Sequence, residues 1–320
     1  MGDRLPPLVV VVGPTGVGKT AVAIRLALAL DGEIVSADSR QVYRGMDIGT
    51  AKPTPEELRQ VRHHLVDFLD PDEALTLAEF QSLAYQAIDR ITESGKLPLL
   101  VGGTGQYVRA VVEGWGIPRV PPQPALRAEL ESFADEHGAT ALHARLAEVD
   151  PDAASAIDYR NVRRVVRALE VYLVSGEPIS RLQTRTPPPY RILQVGLTRP
   201  RESLYSRIDA RIDHMLAGGL LEEVKKLVDS GCGWGLPSMS SLGYAQFRDY
   251  LGGEATLEEA VASVKRETRR FIRHQSNWFR LDDPAIIWFD LDEVDFDAIL
   301  SVVRGWLDIP GPATGGSSPP

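Results

Sequence analysis

Leu8-Val9-Val10-Val11-Val12, then Gly13-Pro14-Thr15-Gly16-Val17-Gly18-Lys19-Thr20, then Ala21-Val22-Ala23-Ile24-Arg25-Leu26-Ala27-Leu28 read in succession as strand, glycine loop and helix. Five apolar residues, four of them β-branched, suit a strand buried in a parallel sheet, and the Ala/Leu-rich run suits a helix packed on that sheet. Gly13, Gly16 and Gly18 let the loop turn so that its amides, with the positive end of the helix, cradle a phosphate group. Lys19 adds a positive charge, and the Thr20 hydroxyl is placed to ligate Mg²⁺. The stretch Gly13, Pro14, Thr15, Gly16, Val17, Gly18, Lys19 and Thr20 is therefore expected to hold a diphosphate or triphosphate.

The rest of the chain extends this start. Glu33-Ile34-Val35-Ser36-Ala37 is a second strand that delivers Asp38 to its carboxyl end, the edge on which the glycine loop lies in an open parallel sheet. Asp38 is thus expected near the phosphates, although an aspartate there also suits a turn. A helix from about Thr76 to Ser94 leads to the strand Leu97–Val101 and to Gly102-Gly103-Thr104-Gly105, whose glycines suit either close approach to a ligand or a tight turn. No aspartate ends that strand, which counts against an ATP-driven motor. The adjacent His63 and His64 point apart on any regular element, so a structural role is expected of them.

The proline clusters Ile117–Pro124 and Arg185–Tyr190 read as hinges around an inserted helical unit. The expected division is a discontinuous core, 1–118 and 190–308, an insertion, 119–189, and a disordered Pro/Gly/Ser-rich tail, 309–320. Within the insertion Arg160, Arg163, Arg164 and Arg167 fall on one helix face, and Val162, Val165, Val166 and Leu169 on another. No acid lies between Arg160 and Arg167, so a phosphate backbone is the partner expected for the arginines. After the strand Arg191–Leu197 comes a helical stretch from Arg201 to Ser230, broken at Gly218-Gly219, that presents Arg207 and Arg211 one turn apart. A helix from about Leu257 to Arg280 carries six basic residues against one acid from Lys265 onward.

Composition bounds these readings. The chain has 320 residues, 43% hydrophobic and 25% charged, with 35 basic and 44 acidic side chains and a net charge of −9. That is the make-up of an ordinary globular protein of two units, and the overall charge argues against a coat of nucleic acid while allowing a local basic face. One cysteine, Cys232, fits a reducing cytoplasm. The N-terminus lacks the basic region of a signal peptide, and no stretch is long enough to span a membrane.

Six motifs in order, Gly13–Thr20, Asp38–Tyr43, Gly45–Pro53, Gly102–Gly105, Arg167–Tyr172 and Leu242-Gly243-Tyr244, closely resemble those of the tRNA dimethylallyltransferases of bacterial type, over about residues 8 to 290. The resemblance implies an α/β fold, a P-loop-containing parallel-sheet core with an inserted all-helical domain. It also implies transfer of a dimethylallyl group from dimethylallyl diphosphate to the exocyclic amine of the adenine 3′ of the anticodon, in the tRNA anticodon stem-loop. By this likeness Asp38, Lys19, Arg211 and Thr104 form the catalytic set, with Asp38 as the base and Lys19 and Arg211 beside the diphosphate. The tRNA would meet Asp38, Ser39, Arg40, Gln41, Thr104, Gly105, Arg163, Arg164, Val165, Val166 and Arg167. Mg²⁺ on Thr20 is the expected cofactor and a monomer the expected form. Gln106 departs from the family's usual apolar residue. A P-loop kinase of small molecules or nucleosides would explain residues 8 to 45 equally well, but not the arginine stripe; a GTP-binding switch would need an N-K-x-D segment that is missing.

Overall fold

The computed structural model describes residues 5–308, so the expected disordered tail, 309–320, lies outside the described residues. Six strands, β1 (Pro7–Val12), β2 (Gly32–Ser36), β3 (His63–His64), β4 (Leu97–Gly102), β5 (Arg191–Thr198) and β6 (Ile286–Asp290), form one sheet in the order β3-β2-β4-β1-β5-β6. Every pairing is parallel. Parallel strands need crossovers, so helices cover both faces, and the central strands β1 and β4 are apolar on both sides. β1 shows this residue by residue: Val9 and Val11 enter the core under the helix Lys19–Leu30, while Leu8, Val10 and Val12 enter the core under the helix Leu77–Glu93.

This topology positions the site. β1 lies between β4 and β5, and its carboxyl end faces the crevice where strand order reverses, the usual ligand edge of an open α/β sheet. The glycine loop, Asp38 and the Gly103 turn all follow strands at this edge. The expected long helix divides into Arg201–Ala217 and Leu220–Asp229, with Gly219 in the left-handed region at φ 99° between them. The helix begun by the Thr256 capping box ends at Gln275 rather than Arg280; Ser276 and Asn277, weak helix formers, close it with a turn.

The chain packs as two compact units: Met1–Val112 with Pro189–Pro320, and Glu113–Pro188. The second unit starts six residues before the expected 119, because Trp115 bridges antiparallel to Arg185 and draws the entering segment in. Its helices Pro124–His137, Ala139–Val149, Pro151–Ala156, Val162–Ser175 and Ile179–Leu182 enclose a separate core that includes Leu130, Leu142, Leu146, Val165, Val166 and Leu169. Among the described residues no helix is long and apolar enough to cross a membrane.

Candidate active site

The helix Lys19–Leu30 starts with Gly18 at its N-cap, with no side-chain cap and no acidic residue in its first turn. Its leading N–H groups therefore keep the positive helix end available to an anion. Around it the loop carbonyls are held by arginines: Arg207 Nε donates to Gly16 O at 3.3 Å and Arg199 Nε to Val17 O at 3.1 Å. Gly13, at φ 147°, must be glycine twice over, since a Cβ there would also overlap the Leu197 carbonyl. Val17 contributes its backbone, its side chain being buried in the core.

Lys19 Nζ donates to Gly13 O at 3.0 Å and Pro14 O at 2.9 Å. Burial lowers its pKa to about 8, against the attraction of Asp38 and with the repulsion of Arg211. Arg211 is likewise pushed down by burial, with Asp38 countering and Arg207 adding to the shift. Among the described residues the Arg211 guanidinium makes no hydrogen bond or ion pair. A half-buried guanidinium without a protein partner is costly unless an anion meets it. Two cations here share a single carboxylate, so the mouth of the loop carries excess positive charge.

Asp38 makes the turn open to it in the sequence and lies within electrostatic reach of Lys19 and Arg211. Its Oδ1 accepts from the N–H of Arg40 at 2.8 Å and of Gln41 at 3.4 Å, an Asx turn, while Oδ2 has no protein donor among the described residues. The turn is joined to the next strand's end. Thr104 N–H donates to Ala37 O at 3.3 Å, and Ser39 N–H donates to Thr104 Oγ1 at 3.1 Å. A side chain on Gly102 would strike the Ala37 carbonyl, so this glycine admits the neighbouring strand's backbone, a use that neither the ligand nor the turn reading named.

Other expected residues also make contacts within the protein. Arg40 donates to Pro237 O and Ser240 Oγ, and Gln41 Nε2 donates to Ala51 O at 3.0 Å and Thr50 O at 3.4 Å. Gln41 thereby braces the Gly45–Pro53 segment. Gly105 lies under the Trp278 ring and opens the helix Gly105–Val112.

In the second unit the arginine face needs correcting. Val165 and Val166 are buried in that unit's own core, so their side chains do not reach an RNA. Arg160 pairs with Asp158, and Arg167 pairs with Glu170 at 2.6 Å; Arg163 and Arg164 are exposed and have no ion pair among the described residues. The basic run after Lys265 is also largely neutralised. Lys265 pairs with Asp213 at 2.6 Å, Arg269 with Asp209, Arg266 and Arg270 with Glu267, and Arg280 with Asp282.

Two residues escaped the sequence reading. Gln275 Oε1 accepts from Thr15 N–H and its Nε2 donates to Gly103 O, both at 2.9 Å. Glu223 accepts from the N–H groups of Asp47, Ile48 and Gly49 and from the Tyr244 hydroxyl at 2.6 Å, so it joins two motifs whose roles were unassigned. Neither carries a local signal, because each acts across a long sequence separation.

Residues 41–282 match the sequence pattern of the family described as IPP transferase. The tRNA dimethylallyltransferase of Roseiflexus sp. (strain RS-1) is 55% identical over 303 residues, 94% of this chain and 99% of that one. That of Chloroflexus aurantiacus is 59% identical over 281 residues, 88% of this chain and 95% of that one. Among solved structures, the full-length tRNA isopentenylpyrophosphate transferase from Bacillus halodurans is similar at 45% identity and a TM-score of 0.69, covering 94% of this chain and 95% of its own. A eukaryotic dimethylallyltransferase acting on tRNA is similar at 25% identity and a TM-score of 0.83, covering 98% and 82%.

Proposed function

This chain belongs to the IPP transferase family, the tRNA dimethylallyltransferases, and on that premise we propose that it prenylates tRNA. The donor is dimethylallyl diphosphate and the acceptor is the exocyclic amine of the adenine 3′ of the anticodon, position 37. The observation that carries this reading is the half-buried Arg211 guanidinium, without a hydrogen-bond or ion-pair partner among the described residues, beside Lys19 and Asp38 at the glycine loop.

The amine nitrogen attacks C1 of the allyl group, the C1–O bond breaks, and its electron pair leaves with the diphosphate. Loop amides, Lys19 and Arg211 stabilise the charge that grows on the leaving oxygens. Asp38 Oδ2 takes the proton lost by the amine, which helps a nucleophile weakened by delocalisation by about 10²–10⁴-fold. Ser39 and Thr104, already hydrogen-bonded to each other, sit beside Asp38 to hold the base.

The residues fit Mg²⁺. Among the described residues the Thr20 hydroxyl has no protein partner, and no three His, Cys, Asp or Glu side chains converge on a cage. Thr20 would hold the ion, with diphosphate oxygens and water completing its shell, as suits a metal that dehydrates reluctantly. When bound, the ion neutralises diphosphate charge. On the second unit Arg163 and Arg164 contact RNA phosphates, an assignment supported by their exposure and lack of acidic partners.

The test supplies the protein with Mg²⁺, tRNA and either dimethylallyl diphosphate or ATP, and weighs the RNA nucleosides by mass spectrometry. A prenylated adenosine is expected with the allylic diphosphate alone. Consumption of ATP with a phosphorylated product in its place overturns the reading in favour of a kinase.

A further inference from the structure

Gln275 ends the helix Leu257–Gln275 and is 4% exposed, yet no step of the transfer uses it. Its amide spans two loops that follow different strands: Oε1 receives the Thr15 N–H of the glycine loop, and Nε2 reaches the Gly103 carbonyl of the turn that carries Thr104. The partners dictate the side chain. The Thr15 N–H can only donate and the Gly103 carbonyl only accept, so the bridge needs one acceptor and one donor on a single rigid group. Glutamate lacks the donor, methionine lacks the donor and offers only a weak sulfur acceptor, and asparagine is one methylene short.

The space around the amide is full. A Cβ on Gly103 would lie 2.6 Å from Gln275 Nε2 and 3.3 Å from Lys19 Nζ. Gly103, the Gln275 amide and the Lys19 ammonium are therefore packed against one another, and displacing one shifts the others. The bridge also takes up the Thr15 amide, so that N–H locks the loop rather than binding phosphate.

We propose that Gln275 is a positioning residue that sets the separation between the glycine loop and the Gly103–Thr104 turn, and so the distance between the diphosphate and the adenine. This rests on the prenyl-transfer reading above. The bridge touches neither substrate, so its loss leaves each bound but out of line, and a misplacement of about 1 Å costs on the order of 10²-fold in rate.

The experiment compares wild type, Gln275→Met, Gly103→Ala and the double variant in single-turnover prenyl transfer with both substrates saturating. Calorimetric affinities for inorganic diphosphate with Mg²⁺ and for tRNA are measured alongside, with thermal melting of each protein. Each single variant is expected to lose about 10²-fold in transfer rate with tRNA affinity within about threefold of wild type; Gln275→Met also keeps diphosphate affinity within about threefold, whereas the added Cβ of Gly103→Ala crowds Lys19 and weakens diphosphate binding. The double variant should lose no more than the worse single one, because both break the same bridge. Wild-type rates in Gln275→Met, losses in Gln275→Met that follow weakened binding, or losses that multiply in the double variant overturn the proposal. A wild type that forms no prenylated adenosine instead fails the functional reading and takes this proposal with it. Should one variant not fold, the other and its affinities still decide.

Discussion

Asp38 Oδ1 is occupied by the turn it makes with the Arg40 and Gln41 amides, and Oδ2 is the atom left to accept a proton. Asparagine keeps the Oδ1 acceptor, so Asp38→Asn preserves the turn and removes only basicity and charge. The expected outcome is both substrates bound and single-turnover transfer slowed by about 10²–10⁴-fold, read by quench-flow at neutral pH. Near-normal transfer would place the base elsewhere. Asp38, Lys19 and Thr20 were legible because their positions follow from strand ends and a loop of fixed spacing. Gln275 and Glu223 were not: each is an ordinary helix residue whose partners lie far away in sequence, Thr15 and Gly103 for one and Asp47 to Gly49 for the other. Arg40 and Gln41 lay between these cases, since their place beside Asp38 was readable but the protein partners that engage them were not.

The helix Val162–Ser175 shows the same division at the level of an element. Its 3.6-residue period put valines inward and arginines outward, and the structure has both faces. The period could not reveal Glu170, which is 0% exposed and accepts from Arg127, Arg167 and the Gln123 N–H. Burial pushes this carboxyl up, but the hydrogen bonds from Arg127, Gln123 and Arg167 outweigh it and hold the pKa at about 2, against 4.5 for an ordinary glutamate. Because the folded value is depressed, the stabilisation is complete above pH 4.5 and is lost as pH falls toward 2. Glu170→Gln removes the titration. It should destabilise the helix at neutral pH by up to ~3 kcal/mol and flatten its acid sensitivity below pH 4.5, measured by amide hydrogen exchange of Val162–Ser175. An unchanged acid limb would mean another group controls it.

Over the whole molecule, net charge −9 and a substrate made of phosphates make the arrangement of charge more important than its sum. Read along the chain, Lys265 to Arg280 is the most basic run, and Arg160 to Arg167 a weaker one. Folding reverses their order. Acids from the helix Arg201–Ala217 reach Lys265 and Arg269, and Glu267 and Asp282 take Arg266, Arg270 and Arg280, pairings that a count along the chain cannot contain. Among the described residues Arg163 and Arg164 keep no acid, against Arg273 alone in the later run, and on the proposed reading it is this pair whose charge replaces counterions on RNA. Arg163→Glu with Arg164→Glu should therefore weaken tRNA binding and shrink the slope of log K against log salt by about 0.7–0.9 for each phosphate contact removed. Lys265→Met with Arg269→Met should lower the melting temperature by stranding Asp213 and Asp209, Asp209 being the more buried, while leaving that slope unchanged. Fluorescence titrations of both variants across a salt series decide the matter: a slope that falls only in the second variant would return the RNA-facing role to the helix after Leu257 and leave Arg163 and Arg164 as a solvated face.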